Sequence, residues 1–175
     1  MLEIAIDLAR QAGALLRRGH ENGAGTVANK SSGVDLVTEF DLASERLIAD
    51  GLHRHFPHHA IHGEETGGEL PAAGPVWVID PLDGTTNFLH GFPQYCVSIA
   101  LRHKGVLQQA VIFDPNRNEL FTATRGAGAF LNDRRIRVSG TDKLEDALVG
   151  TGFPFREFAH FDEYLRMFGE VTRRC

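Results

Sequence analysis

The most constraining stretch of this 175-residue chain is 76–88, where an apolar run ends at Asp80-Pro81 and a Gly-Thr-Thr turn follows shortly after. Proline cannot donate a ladder hydrogen bond, and it pushes the residue before it into extended backbone. We therefore predict a strand over 76–79, with Asp80 at its carboxyl end and Pro81 starting a turn. Gly84 then lets backbone approach a ligand closely, and the two threonines after it open a helix.

The same stretch carries the oxygen groups that suit a divalent cation and a phosphate. Mg²⁺ is typically bound by one or two carboxylates plus substrate phosphate, and Asp80 and Asp83 supply two carboxylates here. Leu82 can bury its side chain and turn its carbonyl to the metal. Thr85 and Thr86 offer hydroxyls and N–H groups where a phosphate would lie. Taken alone, the pattern is also typical of an Asx-type turn with a threonine helix cap.

Two amphipathic helices are predicted near the amino terminus. Apolar residues recur at helical spacing over Leu2–Glu21, and Asn22-Gly23 ends that helix. Thr38 is expected to cap a second helix that runs to His55, with Asp41 in its first turn. The expected buried face of this second helix consists of Phe40, Ala43 and Leu47, with Ile48 and Leu52 alongside.

Short apolar segments separated by tight turns predict an antiparallel sheet. The expected strands are 60–63, 76–79, 96–102, 106–113, 119–124, 129–131 and 146–151, and a final helix is expected over 161–174. The first strand delivers Glu64 and Glu65 to its end. With two helices over one face, the fold class is α+β, a layered antiparallel β-sheet flanked by helices.

Composition excludes several classes of protein. A net charge of −5 leaves no basic footprint for general nucleic-acid binding, and two cysteines are too few for a disulfide framework. No basic region precedes a long apolar run at the amino terminus, so no signal peptide is predicted, and no stretch is long enough to span a membrane. We therefore expect a cytoplasmic protein in which Cys96 is a buried thiol.

Two other clusters of side chains are interpreted as surface features. Five histidines are spread over a predicted helix end, a loop and a strand, which is unlike the converging ligands of a zinc site; they are His53, His55, His58, His59 and His62. The basic run Arg134-Arg135-x-Arg137 is predicted to lie on a solvated hairpin.

Several blocks of the chain resemble the inositol monophosphatase family. They are Gly63-Glu64-Glu65, the Lys-Ser-Ser-Gly-Val-Asp-Leu-Val-Thr of 30–38, and the Asp-Pro-Leu-Asp-Gly-Thr-Thr-Asn-Phe of 80–88. Further blocks at 92–93, 125–130 and 151–156 extend the resemblance over nearly the whole chain. The last block is most similar to the bacterial extragenic-suppressor, or SuhB-type, branch. The resemblance implies the N-terminal part of the inositol monophosphatase/fructose-1,6-bisphosphatase-like sugar phosphatase fold.

The resemblance also implies roles for individual residues. Glu64, Asp80 and Asp83 match metal-binding carboxylates of the family, and Leu82 matches a residue whose backbone carbonyl is a ligand. Asp41 and Thr85 match a pair that positions or deprotonates the attacking water. The implied catalytic residues are Asp41, Glu64 and Thr85, and the implied substrate-binding residues are Lys30, Asp83, Gly84, Thr85 and Thr86. Lys30 matches a residue of a mobile loop that closes on the site.

The implied function is Mg²⁺-dependent hydrolysis of a phosphate monoester, with myo-inositol 1-phosphate as the leading substrate. Such an enzyme would be lithium-sensitive and a homodimer. One alternative is another phosphatase of this fold, acting on fructose 1,6-bisphosphate or a 3′-phosphonucleotide. A second alternative, suggested by the SuhB-type branch, is a regulatory protein whose partners belong to the transcription machinery.

The resemblance is incomplete at the carboxyl end. Family members continue into a Gly-x-Ala-Ala-Leu segment and a Trp-Asp pair, but the single tryptophan here, Trp77, is followed by Val78. We therefore expect an incomplete chain, with 1–140 as an N-terminal α+β metal-binding domain and 141–175 as the start of a C-terminal domain. Alone, such a chain is expected to hydrolyse inositol 1-phosphate poorly.

Overall fold

The computed structural model describes residues 1–22, 27–29, 36–154 and 158–175, and only the backbone of 27–29 and 36–37. The helices are α1 (Leu2–Glu21), α2 (Glu39–His55), α3 (Thr85–Leu89) and α4 (Phe161–Thr172). The strands are β1 (Val27–Asn29), β2 (Leu36–Thr38), β3 (Ala60–Gly63), β4 (Pro75–Asp83), β5 (Cys96–His103), β6 (Val106–Asp114), β7 (Glu119–Thr124), β8 (Gly128–Leu131) and β9 (Arg134–Ile136).

Strands β3 to β9 form one seven-stranded sheet in chain order, within the described part of the chain. Every neighbouring pair in it is antiparallel except β3, which runs parallel to β4. The separate pair β1–β2 is antiparallel and leads into α2. The predicted α+β class is confirmed, with the addition that the sheet is mixed at this one edge.

Strand β4 is longer than predicted because it runs through the Asp-Pro pair. The pairing with β5 is regular as far as Asp80, shifts register, and resumes at Asp83 opposite Cys96. Proline is tolerated inside a sheet at such an irregularity, since no ladder hydrogen bond is required there. The prediction that Pro81 leaves the strand to start a turn was therefore wrong, and the turn begins at Gly84.

The core lies between the sheet and the first two helices. Helix α1 contacts β5 and β6, and α2 contacts β4, so both helices cover one face as predicted. Alternate residues of the central strands face this layer, as a sheet covered on one side requires. The main buried side chains are Leu8, Leu16, Ile48, Leu52, Trp77, Ile79, Val97, Ile99 and Val111.

The buried face of α2 is only partly the predicted one: Ile48 and Leu52 are buried as expected, and the other three residues are not. Ala43 is exposed, and Phe40 and Leu47 are only half-buried. The fully buried stripe is displaced by one residue and is partly polar: it consists of Asp41, Ser44, Glu45, Ile48, Gly51 and Leu52. Thr38 does cap the helix, as predicted, and forms a capping box with Asp41.

The carboxyl-terminal part contains less regular structure than predicted. A short 3₁₀ turn at Leu144–Asp146 replaces the start of the expected 146–151 strand, and 147–151 pairs with no described strand. Helix α4 lies where a helix was expected, but none of its residues is buried. The division into domains at about residue 140 stays a prediction. In the part of the chain that the structure describes, no helix is long and apolar enough to cross a membrane.

Close packing of α1 against α2 predicts opposite outcomes for two helical glycines. In Gly19→Ala the new Cβ would lie 2.5 Å from the Phe40 ring, whereas in Gly169→Ala the nearest atom would be 3.6 Å away. Overpacking costs about 1–3 kcal/mol, which exceeds the roughly 1 kcal/mol gained by replacing a helical glycine with alanine. Urea unfolding should show lower stability for Gly19→Ala and no loss for Gly169→Ala. Equal effects would contradict the described helix contact.

Candidate active site

The parallel pairing of β3 with β4 places two predicted metal ligands side by side. Gly63 is paired with Ile79, and the backbone N–H of Glu64 donates to the Ile79 carbonyl at 3.0 Å. Because parallel strands have their carboxyl ends side by side, Glu64 and Asp80 both lie at the carboxyl ends of this strand pair. The two side chains are in hydrogen-bond contact.

Negative charge accumulates at this edge. Burial and, after it, the nearby charges of Glu64 and Asp83 together raise the pKa of Asp80 to about 7, and a hydrogen bond from the Leu82 N–H opposes this shift. That hydrogen bond is 3.2 Å long. A divalent cation would relieve this crowding, and an all-oxygen donor set suits Mg²⁺ better than softer metals. The residues present therefore fit a magnesium ion.

Asp83 lies at the same end of β4 but is more exposed than Asp80. The Cys96 thiol donates a long hydrogen bond of 3.7 Å to Asp83 Oδ2. Cys96 was predicted to be buried and is half-buried. Within the described residues, no three His, Cys, Asp or Glu side chains converge as a complete metal-ligand set. The structure thus brings Glu64 and Asp80 into contact and leaves Asp83 nearby.

Asp41 and Thr85, predicted as a pair, are brought together from elements far apart in the chain. The Thr85 hydroxyl lies 3.1 Å from Asp41 Oδ1 and 3.1 Å from the Leu82 carbonyl oxygen. The other Asp41 oxygen accepts from the Thr38 N–H at 2.8 Å and from its hydroxyl at 2.5 Å. Burial raises the pKa of Asp41, and the hydrogen bonds from Thr38 and Thr85 work against that shift. Asp41 is therefore a fixed acceptor that orients Thr85.

Helix α3 begins where the predicted phosphate contacts lie. Gly84 is its N-cap, with a φ of 99° in the left-handed region. A Cβ at this position would also meet the Gln94 carbonyl at 2.8 Å, so glycine is required by both conformation and space. Asn87 donates to the same carbonyl at 2.8 Å and ties down the turn. The first N–H groups of a helix have no acceptor inside it, so Thr85 and Thr86 present theirs outward.

Of the remaining predicted residues, the structure describes Leu82 but not Lys30. Leu82 is buried, and its carbonyl faces the Thr85 hydroxyl, on the side of the strand that carries the site. Lys30 lies outside the described residues. An open cleft of about 350 Å³ borders Asp83 and Gly84 and also contains Arg117. A cleft of about 540 Å³ at the opposite end of the sheet contains none of the predicted site residues.

Sequence reasoning missed two buried polar residues of α2. The Ser44 hydroxyl donates to the Pro81 carbonyl at 3.2 Å, and the Glu45 carboxylate accepts from the turn after β3. Their signal was available in the sequence, since they follow Asp41 by three and four residues and must share its helix face. It was overlooked because the buried side was assigned from apolar residues alone.

Comparison with known proteins identifies the class that this fold and site define. A model described as the inositol monophosphatase family matches residues 1–174. The chain belongs to that family, which confirms the resemblance of its motifs. A crystal structure of the extragenic suppressor protein suhB from Bartonella henselae has a TM-score of 0.91 at 36% identity over 98% of this chain. An IMPase of Thermotoga maritima has a TM-score of 0.83 at 32% identity over 99% of it.

Curated relatives carry the SuhB name. The chain is 52% identical to the Nus factor SuhB of Pseudomonas aeruginosa over 98% of its own length and 65% of the relative. It is 44% identical to the Nus factor SuhB of Escherichia coli K12 over its full length and 66% of that protein. The two solved structures are likewise covered over 66% and 65% of their length. The chain thus spans slightly less than two thirds of these proteins.

The electrostatics of the site predict unequal reactivity of the two cysteines. Burial, followed by the charges of Asp83 and Asp80, raises the pKa of Cys96 from 9.0 to about 12. At a given pH this lowers the reactive thiolate fraction about a thousandfold. Iodoacetamide at about pH 8 should therefore label the exposed Cys175 first and Cys96 far more slowly, as read by peptide mass spectrometry. Asp83→Asn should speed labelling of Cys96; comparable rates at the two thiols would contradict this electrostatic description.

Proposed function

We propose that this protein hydrolyses phosphate monoesters with Mg²⁺ as cofactor. The observation that carries the proposal is the contact of Glu64 with Asp80 at one edge of the sheet, with the Asp41–Thr85 pair beside it. Carboxylates for a hard cation and an oriented hydroxyl for water are the parts that direct hydrolysis needs. Family membership supports the same reaction class.

The proposed metal ligands are Glu64, Asp80, Asp83 and the carbonyl of Leu82. Glu64 and Asp80 would hold a first ion together with that carbonyl, and Asp80 and Asp83 would begin a second site. When bound, Mg²⁺ supplies positive charge against the phosphate and makes a neighbouring water easier to deprotonate. Because the cation supplies this activation, no strongly basic side chain is needed at the site.

The protein's own contribution is to position the water and the phosphate. Thr85, whose hydroxyl donates to Asp41, would accept a hydrogen bond from the attacking water and fix its direction. The N–H groups at the start of α3, with the Thr86 hydroxyl, would bind phosphate oxygens, and Gly84 keeps the approach clear. Orienting both reactants in this way removes much of the entropic cost of the reaction. Lys30 is proposed to close over the bound phosphate.

The proposed substrate is a polyol phosphate, with myo-inositol 1-phosphate first. Two relatives support this choice by name: an IMPase of Thermotoga maritima and an inositol monophosphatase of Anabaena, the latter 38% identical with a TM-score of 0.81. A panel that also contains fructose 1,6-bisphosphate and a 3′-phosphonucleotide distinguishes the alternatives. Inhibition by lithium, a homodimer and a cytoplasmic location belong to the same proposal.

Thr85→Ala should lower kcat by about a hundredfold or more, with a smaller change in KM, because the lost contact acts on the attacking water. Thr85→Ser is the matched control, since it keeps the hydroxyl that faces Asp41. Phosphate-release kinetics measure both variants. A raised KM at unchanged kcat would instead make Thr85 a substrate-binding residue.

Asp83→Asn should abolish Mg²⁺-dependent turnover while leaving the fold intact, because Asp83 is an exposed ligand at a strand end rather than a core residue. Asp50→Asn, an exposed carboxylate on α2, is the control and should remain active. Phosphate release and circular dichroism provide the two readouts. Near-normal turnover in Asp83→Asn would exclude that carboxylate from the metal site.

A second candidate function follows from the names of the relatives. Proteins at 52% and 44% identity are called Nus factors, which favours a regulatory role with partners in the transcription machinery. The two functions are separable with Asp83→Asn. If that variant loses turnover but still co-purifies with RNA polymerase or antitermination factors, the regulatory role does not require the metal site.

A further inference from the structure

The first two turns of α2 contact three described segments that carry proposed site residues: the turn after β3, strand β4 and the start of α3. Asp41 faces Thr85 at the start of α3, Ser44 donates to Pro81 within β4, and Glu45 reaches the turn after β3. All three side chains lie on the buried stripe of the helix. Pro81 follows Ser44 by 37 residues and Thr85 follows Asp41 by 44 residues, so the helix fixes the mutual positions of segments that are distant in the chain.

Glu45 makes the most extensive of these contacts. Its side chain is 1% exposed, and its two oxygens face different groups. One oxygen accepts from the Glu65 N–H at 2.8 Å. The other accepts from the N–H of Thr66 at 2.9 Å and from its hydroxyl at 2.5 Å. Each oxygen of the carboxyl group accepts a backbone N–H, so Glu45 bridges two successive residues of the turn.

The turn that Glu45 binds is the one that presents Glu64. Gly63 and Gly67 close it through two backbone hydrogen bonds, of 2.8 and 3.0 Å. The Glu45 carboxyl group lies directly against Gly63, so a Cβ there would overlap its carboxyl carbon and oxygens. The carboxylate therefore fills the space inside the turn and fixes its backbone. Glu64 lies between Gly63 and Glu65, which Glu45 contacts, so its backbone position relative to Asp80 is fixed.

We propose that Glu45 is a positioning residue: by clamping the 64–66 turn from α2, it sets the geometry with which Glu64 meets Mg²⁺. This inference rests on the proposed metal function. Groups that orient a ligand through a hydrogen bond typically change metal affinity by about 10- to 100-fold when they are removed. A purely structural role would lower stability without a selective change in metal affinity.

The test uses Glu45→Gln, which keeps the size of the side chain but turns one acceptor into a donor. Isothermal titration with MgCl₂ should show a dissociation constant raised about tenfold or more. Hydrogen–deuterium exchange without metal should show faster exchange at the amides of Glu65 and Thr66. In turnover, the concentration of Mg²⁺ for half-maximal rate should rise, with a much smaller change in kcat at saturating Mg²⁺.

Leu52→Ala is the matched control for lost stability. Leu52 is fully buried on the same stripe, two turns further along α2. Its truncation should destabilise the fold and leave Mg²⁺ affinity unchanged. If Leu52→Ala weakened Mg²⁺ binding as much as Glu45→Gln, the effect of Glu45 would be structural and the proposal would be overturned.

Gly63→Ala supplies an independent variant that leaves Glu45 in place. The added methyl group should displace the carboxylate and reproduce the loss of Mg²⁺ affinity. In the Glu45→Ala background the same substitution has room and should add little, so the two changes should be strongly non-additive. Additive effects would separate Gly63 from Glu45 and argue against the clamp.

The outcomes separate the inference from the function on which it rests. A wild-type protein that neither binds Mg²⁺ nor releases phosphate overturns the proposed function, and with it this role of Glu45. A wild-type protein that binds Mg²⁺, together with a Glu45→Gln variant that binds it equally tightly, overturns the positioning role alone.

Discussion

The site depends on one parallel strand pair in an otherwise antiparallel sheet. If β3 were antiparallel to β4, the carboxyl end of β3 would lie next to the amino end of β4. Glu64 could then not reach Asp80. The pairing of Gly63 with Ile79 brings the two carboxylates together, and the connection through 64–74 supplies the crossover that a parallel pair needs. The metal chemistry proposed here therefore follows from strand direction as much as from residue type.

The pairing of β3 with β4 brings the negative charges of Glu64 and Asp80 together. The polar residues of α2 then fix the segments that surround these two carboxylates. Burying a carboxylate is costly unless hydrogen bonds replace the lost water, and both Asp41 and Glu45 receive such bonds from backbone and threonine groups. Those same bonds connect α2 to α3 and to the turn after β3. The groups that make burial tolerable are thus the groups that define the site, which explains why a helix that supports the core carries a polar stripe at its amino end.

Local signals in the sequence predicted α1 and the Thr38 cap, because each depends on neighbours in the chain. The grouping of Glu64 with Asp80 came from the family resemblance, since it needs a parallel strand pair that the predicted antiparallel sheet did not contain. Features that depend on tertiary contacts were missed. Pro81 stays in β4 because β5 tolerates a register shift, and Ala43 is exposed because Ser44 and Glu45 find partners elsewhere in the fold. The apolar 147–151 segment has the composition of a strand, yet no neighbouring strand in the described chain pairs with it.

The capping box of α2 has a consequence for how the protein would respond to heat. Asp41 holds the first turn of the helix through Thr38 and also faces Thr85. Helix ends open locally at a lower free energy than the whole domain unfolds. Opening of this one turn would release Thr85 from its orienting partner while the sheet remained folded. On heating, the contact between Asp41 and Thr85 would then be lost reversibly, below the melting transition, by fraying of a single helix end.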